Sequence, residues 1–218
     1  MEKSIENIWK EGFLSDEKLV APKVNDLYSQ KSINIVSKFK RMYKINVIGI
    51  VIFSIILLPI SYISNIPYMG IMLFFLFNMI IIVNRKTRKD LDKIDNTLNS
   101  YEYLISFKNW TDELIKVNTK FSRFLYPYVF LAMFTGFWFG TIGGDIPGDK
   151  VIRLFLSDYP NTPLVFGFPL VFIGIVLLVI TFLALVGARI GKWDFNLGYG
   201  RIIRRLHTMI ADMEELKK

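Results

Sequence analysis

Apolar residues in this chain are gathered into long uninterrupted blocks rather than spread at the periods of an amphipathic strand or helix. Four such blocks cover 46–63, 67–84, 125–142 and 164–186, and none contains Asp, Glu, Lys, Arg or His. Each is close to the roughly 20 residues that a helix needs to cross a hydrocarbon layer about 30 Å thick. Lipid offers no partner to exposed backbone groups, so each block is expected to be helical. A single block of this kind could be the core helix of a soluble domain. Four of them, each closed by a basic cluster or a turn, describe a polytopic membrane protein. Pro169, beside Gly167 inside the fourth block, predicts a kink there.

Between the blocks the pattern turns periodic. The segment 85–124 as one helix would be about 60 Å long and end far from the membrane, yet the chain must return for the third span. A helical hairpin is therefore expected. Leu91, Ile94, Leu98, Tyr101 and Ile105 alternate steps of three and four, the phase breaks at 106–109, and Trp110, Leu114, Val117, Phe121 and Phe124 resume it. Asn109 or Thr111 is the expected cap of the second arm. In the C-terminal region, 188–218, the link KWDFNLGYG precedes an apolar stripe of Ile202 or Ile203, Leu206, Ile210, Met213 and Leu216. In 1–44, Ile5, Ile8 and Trp9 mark a small amphipathic helix. A second, from about Ser32, presents Val36, Phe39 and Tyr43 and runs into span one. The expected fold is all-α: two transmembrane hairpins (within 45–84 and 125–187, the latter with an outer loop at 143–163), a cytoplasmic helical hairpin and amphipathic terminal helices. The cytoplasmic stripes must be buried against one another, in a partner's groove or in the lipid interface.

Charge sets the orientation. Of 27 Lys and Arg, nine precede span one, nine lie between spans two and three, and seven follow span four. Only Lys150 and Arg153 lie between spans three and four. The rule that basic loops stay cytoplasmic then places both ends and the middle segment inside, in the inner membrane of the cell. Tyr62 and Tyr68 on one side, and Tyr43, Tyr126 and Trp193 on the other, fit interfacial anchors. Lys38, Lys40, Arg41 and Lys44 with Arg85, Lys86, Arg88 and Lys89 form a juxtamembrane ring that fixes topology and meets anionic headgroups. The net charge of +8 hugs the bilayer rather than covering an exposed face, so nucleic acid is a poor partner. The chain has no cysteine, which removes disulfides, thiol chemistry and Cys-linked lipid anchors.

Little else carries chemistry. His207, the one histidine, lies among basic residues and reads as a solvated surface group. Asp145, Asp149 and Asp158 in the outer loop could bind a cation, but their setting is turn and capping chemistry. Gly136 and Gly140, with Gly144 continuing the spacing, allow close helix approach, within the bundle first and between two copies second. Asn78 is the intramembrane candidate for an interhelical hydrogen bond; Ser54, Thr135 and Thr181 are the other polar residues at depth. Ionisable groups are missing from the spans, which argues against ion-coupled transport and intramembrane catalysis. No catalytic, cofactor-binding or metal residue is assigned.

Several short stretches resemble a known group: Ile8–Trp9–Lys10, Lys31–Ser32 leading to Lys38–Phe39–Lys40–Arg41, Leu91–Asp92–Lys93–Ile94–Asp95, and Tyr199–Gly200 before an acidic-ended final helix. The layout resembles small, uncharacterised four-helix inner-membrane proteins of Bacteroidota-type bacteria that are suspected of acting as anti-sigma-like regulators. That resemblance implies a membrane protein whose cytoplasmic helices hold a soluble regulator, and it transfers no functional residue. The expected function is non-enzymatic: presentation of cytoplasmic helices to a protein partner through the stripe Leu91, Ile94, Leu98, Leu114, Val117, Phe121, Leu206, Ile210 and Met213. The alternative is a small transporter or lipid-handling protein with a path between the spans, lined by Asn78, Ser54 or Thr135.

Overall fold

The computed structural model describes residues 17–94 and 99–215, with side chains from Ser29 onward except that of Lys86. Ile5, Ile8, Trp9, Leu98 and Leu216 lie outside the described residues. The order of elements is α1 (Glu17–Ile63), α2 (Pro67–Asp92), α3 (Ser100–Phe139), α4 (Pro147–Asp158), β1 (Leu164–Val165), β2 (Phe168–Pro169) and α5 (Leu170–Glu215). The fold is all-α; the two short strands pair only with each other, Leu164 opposite Pro169 and Val165 opposite Phe168.

Two kinds of surface divide the long helices. α1 and α5 have 47 and 46 residues and so are about 70 Å long, roughly twice the thickness of a hydrocarbon layer. Their apolar halves turn large side chains outward, as Ile52 and Ile56 of α1 and Leu178 and Leu185 of α5 illustrate, and Phe75 of α2 does the same. Such a girdle is too large for the surface of a water-soluble monomer. Among the described residues, three helices are long and apolar enough to cross a membrane: Ser29–Ile63, Pro67–Asp92 and Leu170–Glu215. The third block, 125–142, forms the outer part of α3 together with a short continuation. Gly136 and Gly140 lie against the α1–α2 turn and the start of α2: a Cβ on either would come within 2.7 Å of Met69 or 2.5 Å of Ile66. These long apolar helices are consistent with a multi-pass bundle.

The compact core lies at the lysine- and arginine-rich end. Val36, Phe39 and Tyr43 of α1, Leu91 of α2, Tyr103, Leu104, Phe107, Trp110 and Leu114 of α3, and Ile202, Leu206, Met209, Ile210 and Met213 of α5 form one cluster. Phe39 is its hub, edge-on to Phe107 and Trp110 at 5.3 and 5.5 Å between ring centres. Trp110 donates its buried indole N–H to the Thr87 carbonyl at 2.7 Å, which pins α3 to α2.

Several expectations are corrected. The chain reverses between Asp92 and Ser100, not at 106–109, and α3 is unbroken through that stretch. Asn99 is the cap: its side chain accepts the Glu102 N–H at 2.9 Å, with Glu102 in the first turn near the positive end of the helix. Asn109 and Thr111 are mid-helix, Thr111 donating to the Phe107 carbonyl at 2.9 Å. The buried face runs Tyr103, Leu104, Phe107, Trp110, Thr111, Leu114, a helical period that continues across the apparent break. Tyr101 and Ile105, read as the seam, flank it.

The fourth apolar block is not wholly helical either. Residues 164–169 fold into the β1–β2 hairpin, with Phe166 and Gly167 at φ +52° and +81°, as a two-residue turn of primed type requires. Pro169 therefore precedes α5 and kinks nothing. The link at 192–200 is helix: α5 runs without a break from Leu170 to Glu215, because Phe195 and Tyr199 pack on the core and outweigh the low helix propensity of Gly198 and Gly200. Toward the other terminus, α1 is already helical at Glu17, where the described residues start, and not only from about Ser32.

Candidate functional site

Where the apolar halves meet the basic core, α1, α2, α3 and α5 surround a cavity of about 690 Å³. Its wall toward the spans is hydrocarbon: Val47 and Ile50 from α1, Ile80, Ile81 and Ile82 from α2. Its opposite rim is cationic, with Arg85, Arg88 and Lys89 set against the single carboxylate of Asp92. Among the described residues none of these three cations makes a salt bridge; the ion pairs seen are Lys93 with Asp90 and Lys108 with Asp112. Between wall and rim stand Asn46, Asn84, Asn118, Tyr43 and Tyr199.

The helices position these groups for plain reasons. Asn84 ends the apolar run of α2, and Arg85, Arg88 and Lys89 follow within a turn and a half. Tyr43 and Asn46 hold the matching level of α1, and Asn46 donates its side-chain amide to the Tyr199 hydroxyl, tying α1 to α5. Tyr199 in turn lies 4.8 Å from Phe39 and 5.0 Å from Phe195 between ring centres, so the cavity rests on the aromatic core.

Two buried polar atoms here lack partners among the described residues: the Tyr43 hydroxyl and Oδ1 of Asn84. The Asn84 amide nitrogen donates to the Ile80 carbonyl at 2.9 Å, which leaves the oxygen as an acceptor with no donor. Each orphaned buried group costs about 1–3 kcal/mol, and native folds hold few of them. Both residues line the same cavity.

The residues singled out in sequence are distributed elsewhere. Leu91, Leu114, Leu206, Ile210 and Met213 are buried in the internal core, with Ile94 packed against it. Val117 and Phe121 are half-buried. Leu98 lies outside the described residues. The stripe is thus largely covered by the chain itself and is not a free face. Asn78 donates to the Phe74 carbonyl of its own helix at 2.8 Å, not across helices. Gly144 (φ +90°) sits in a turn after α3 has ended, with open space around it, and does not continue the Gly136–Gly140 row. Thr135 meets Met72 of α2, its hydroxyl 3.2 Å from the sulfur. His207, Asp145, Asp149 and Asp158 are exposed, and among the described residues no group of three His, Asp or Glu could hold a metal ion.

Sequence reading missed the cavity because its members looked ordinary one at a time. Arg85, Arg88 and Lys89 read as topology markers and Tyr43 as an interfacial anchor. The available signal was the coincidence of Asn46 and Asn84 at the basic ends of two adjacent spans. Compared with family models, curated proteins and solved structures, the chain matches none.

Proposed function

We propose that this chain is a non-enzymatic protein of the inner membrane that holds an amphiphilic small molecule where its bundle meets the cytoplasm. In this reading the apolar halves of α1 and α2, the outer part of α3 and the first half of α5 are four spans, with both ends of the chain cytoplasmic. The distribution of Lys and Arg supports that orientation. The observation that carries the function is the cavity itself: hydrocarbon on one wall, cations with no ion pair among the described residues on the other, and between them two polar groups without a partner among those residues. Its volume falls within the about 300–1,000 Å³ of small-molecule sites.

Saturable binding of a fluorescent fatty-acyl probe to the full chain in mild detergent tests the reading. One probe per chain is expected, lost when Ile50→Trp fills the cavity while helix content is unchanged. Equal binding to the wild type and to this variant would overturn it.

A second reading keeps the regulatory role implied by the resemblance. A separate groove of about 640 Å³ lies between α3, which contributes Asp112, Glu113, Lys116, Lys120 and Arg123, and Lys192 of α5. It is the surface on which a cytoplasmic protein would dock, the apolar stripe being covered. A photo-crosslinker at Lys120 yielding one discrete adduct in cells, abolished by Lys116→Glu, would favour it; a ladder of unrelated adducts would remove it.

A further inference from the structure

The cavity changes character along its length. Ile80 and Ile81 precede Arg85, Arg88 and Lys89 on the same helix, and from Ile81 to Arg88 the rise along the axis is about 10 Å. Within that distance the lining passes from hydrocarbon to guanidinium. A glycerophospholipid makes the same transition between its ester-linked chains and its phosphate. Tyr43 and Asn84, 7% and 8% exposed, lie at the crossover.

The orphaned atoms narrow the class. A phosphate or carboxylate accepts hydrogen bonds only, so it satisfies the Tyr43 hydroxyl as donor and the cationic rim, but gives nothing to Asn84 Oδ1. A fatty acid therefore leaves Asn84 unpaired. A headgroup hydroxyl beyond the phosphate supplies the missing donor. Three cations against one carboxylate favour a ligand with net negative charge, since guanidinium and phosphate pair through two parallel hydrogen bonds. Ile82, 69% exposed yet lining the cavity, marks where acyl chains leave for the bilayer.

We infer that the cavity is a headgroup site for an anionic glycerophospholipid whose headgroup carries a hydroxyl, as phosphatidylglycerol does. This rests on the amphiphile reading above and gives it a chemical class. The phosphate sits on Arg85, Arg88 and Lys89. The headgroup hydroxyl donates to Asn84 Oδ1, Tyr43 donates to a phosphate or ester oxygen, and the first acyl carbons lie along Ile50 and Ile80.

Native mass spectrometry of the full chain in mild detergent, with phosphatidylglycerol, phosphatidylcholine, phosphatidic acid and soluble glycerol phosphate each offered at equal concentration, tests it. One phosphatidylglycerol per chain is expected, retained about tenfold over phosphatidylcholine. Arg85→Gln with Arg88→Gln should erase that preference, while Arg201→Gln with Arg204→Gln, exposed on α5, should leave it intact. Asn84→Leu should lower phosphatidylglycerol binding about tenfold without affecting phosphatidic acid, and should raise the melting temperature of the lipid-free protein. Indifference to headgroup, with the acyl probe still bound, would overturn the phospholipid assignment and leave the amphiphile reading standing. Glycerol phosphate bound as tightly as the lipid would overturn it in favour of a soluble phosphate. Binding of neither lipid nor probe would remove both.

Discussion

At the scale of single residues, spare room decides as much as contact. Gly198 lies inside α5 with nothing within 4 Å of where its Cβ would be, so Gly198→Ala is expected to stabilise the fold by about 1 kcal/mol. Thermal unfolding in detergent checks this, and a fall in melting temperature would contradict it. Gly136 is the opposite case, since its missing Cβ is the space that Met69 occupies. A pH effect belongs to Tyr101, whose hydroxyl donates to Glu214 at 3.1 Å and ties the start of α3 to the end of α5. That bond, ahead of burial and the carboxylate's charge, raises the Tyr101 pKa above its ordinary value. A raised folded pKa means the contribution is complete below about pH 10, the unfolded value, and is lost as pH climbs through the folded one. Hydrogen exchange in the last turns of α5 should accelerate in that alkaline window, and Tyr101→Phe should exchange faster at neutral pH and lose the step. The spacing of Gly136 and Gly140 was legible in the sequence as a close approach. The partner was not, because nothing local says that Met69 and Ile66 come to lie there.

At the scale of elements, caps and aromatic anchors overrode the phase of apolar residues. Asn99–Ser100–Tyr101–Glu102 is a capping signature that outranks the apparent break at 106–109, and Asn99→Ala should cost about 1 kcal/mol through loss of the Glu102 N–H bond. Urea unfolding followed by circular dichroism measures it; no change would mean that packing of Tyr103 and Leu104 alone starts the helix. A hairpin was expected from sequence because the chain must return for a third apolar block, yet the arms on either side of Asp92 and Ser100 are unequal. α2 ends soon after its apolar run, whereas α3 keeps a long segment beneath it, covered by α1 and α5. Residues 164–169 misled in another way: an apolar run looks helical until Phe166 and Gly167 adopt positive φ, and Pro169 lacks the N–H that a helix interior would use.

At the scale of the whole molecule, an inside-out apolar girdle stands over an ordinary protein core. That core is continuous through four helices, so Leu206→Ala, at a position with no exposure, should cost about 2–5 kcal/mol. The loss would appear as proteolysis at the basic end, with the apolar halves still protected by lipid or detergent. The absence of cysteine gives a clean background for topology. An impermeant maleimide should label Asp145→Cys in intact cells and Glu102→Cys only after the membrane is opened; the reverse pattern would invert the orientation. Hydrocarbon blocks free of charge and the lopsided placement of Lys and Arg determined the helical class and the expected membrane disposition from sequence alone, because transfer into lipid is additive over neighbouring residues. The cavity and the self-covered stripe belong to the tertiary structure. Whether Leu91 meets Leu206, or Asn84 is left without a donor, depends on which distant helix faces it, and that is a property of packing and not of any local segment.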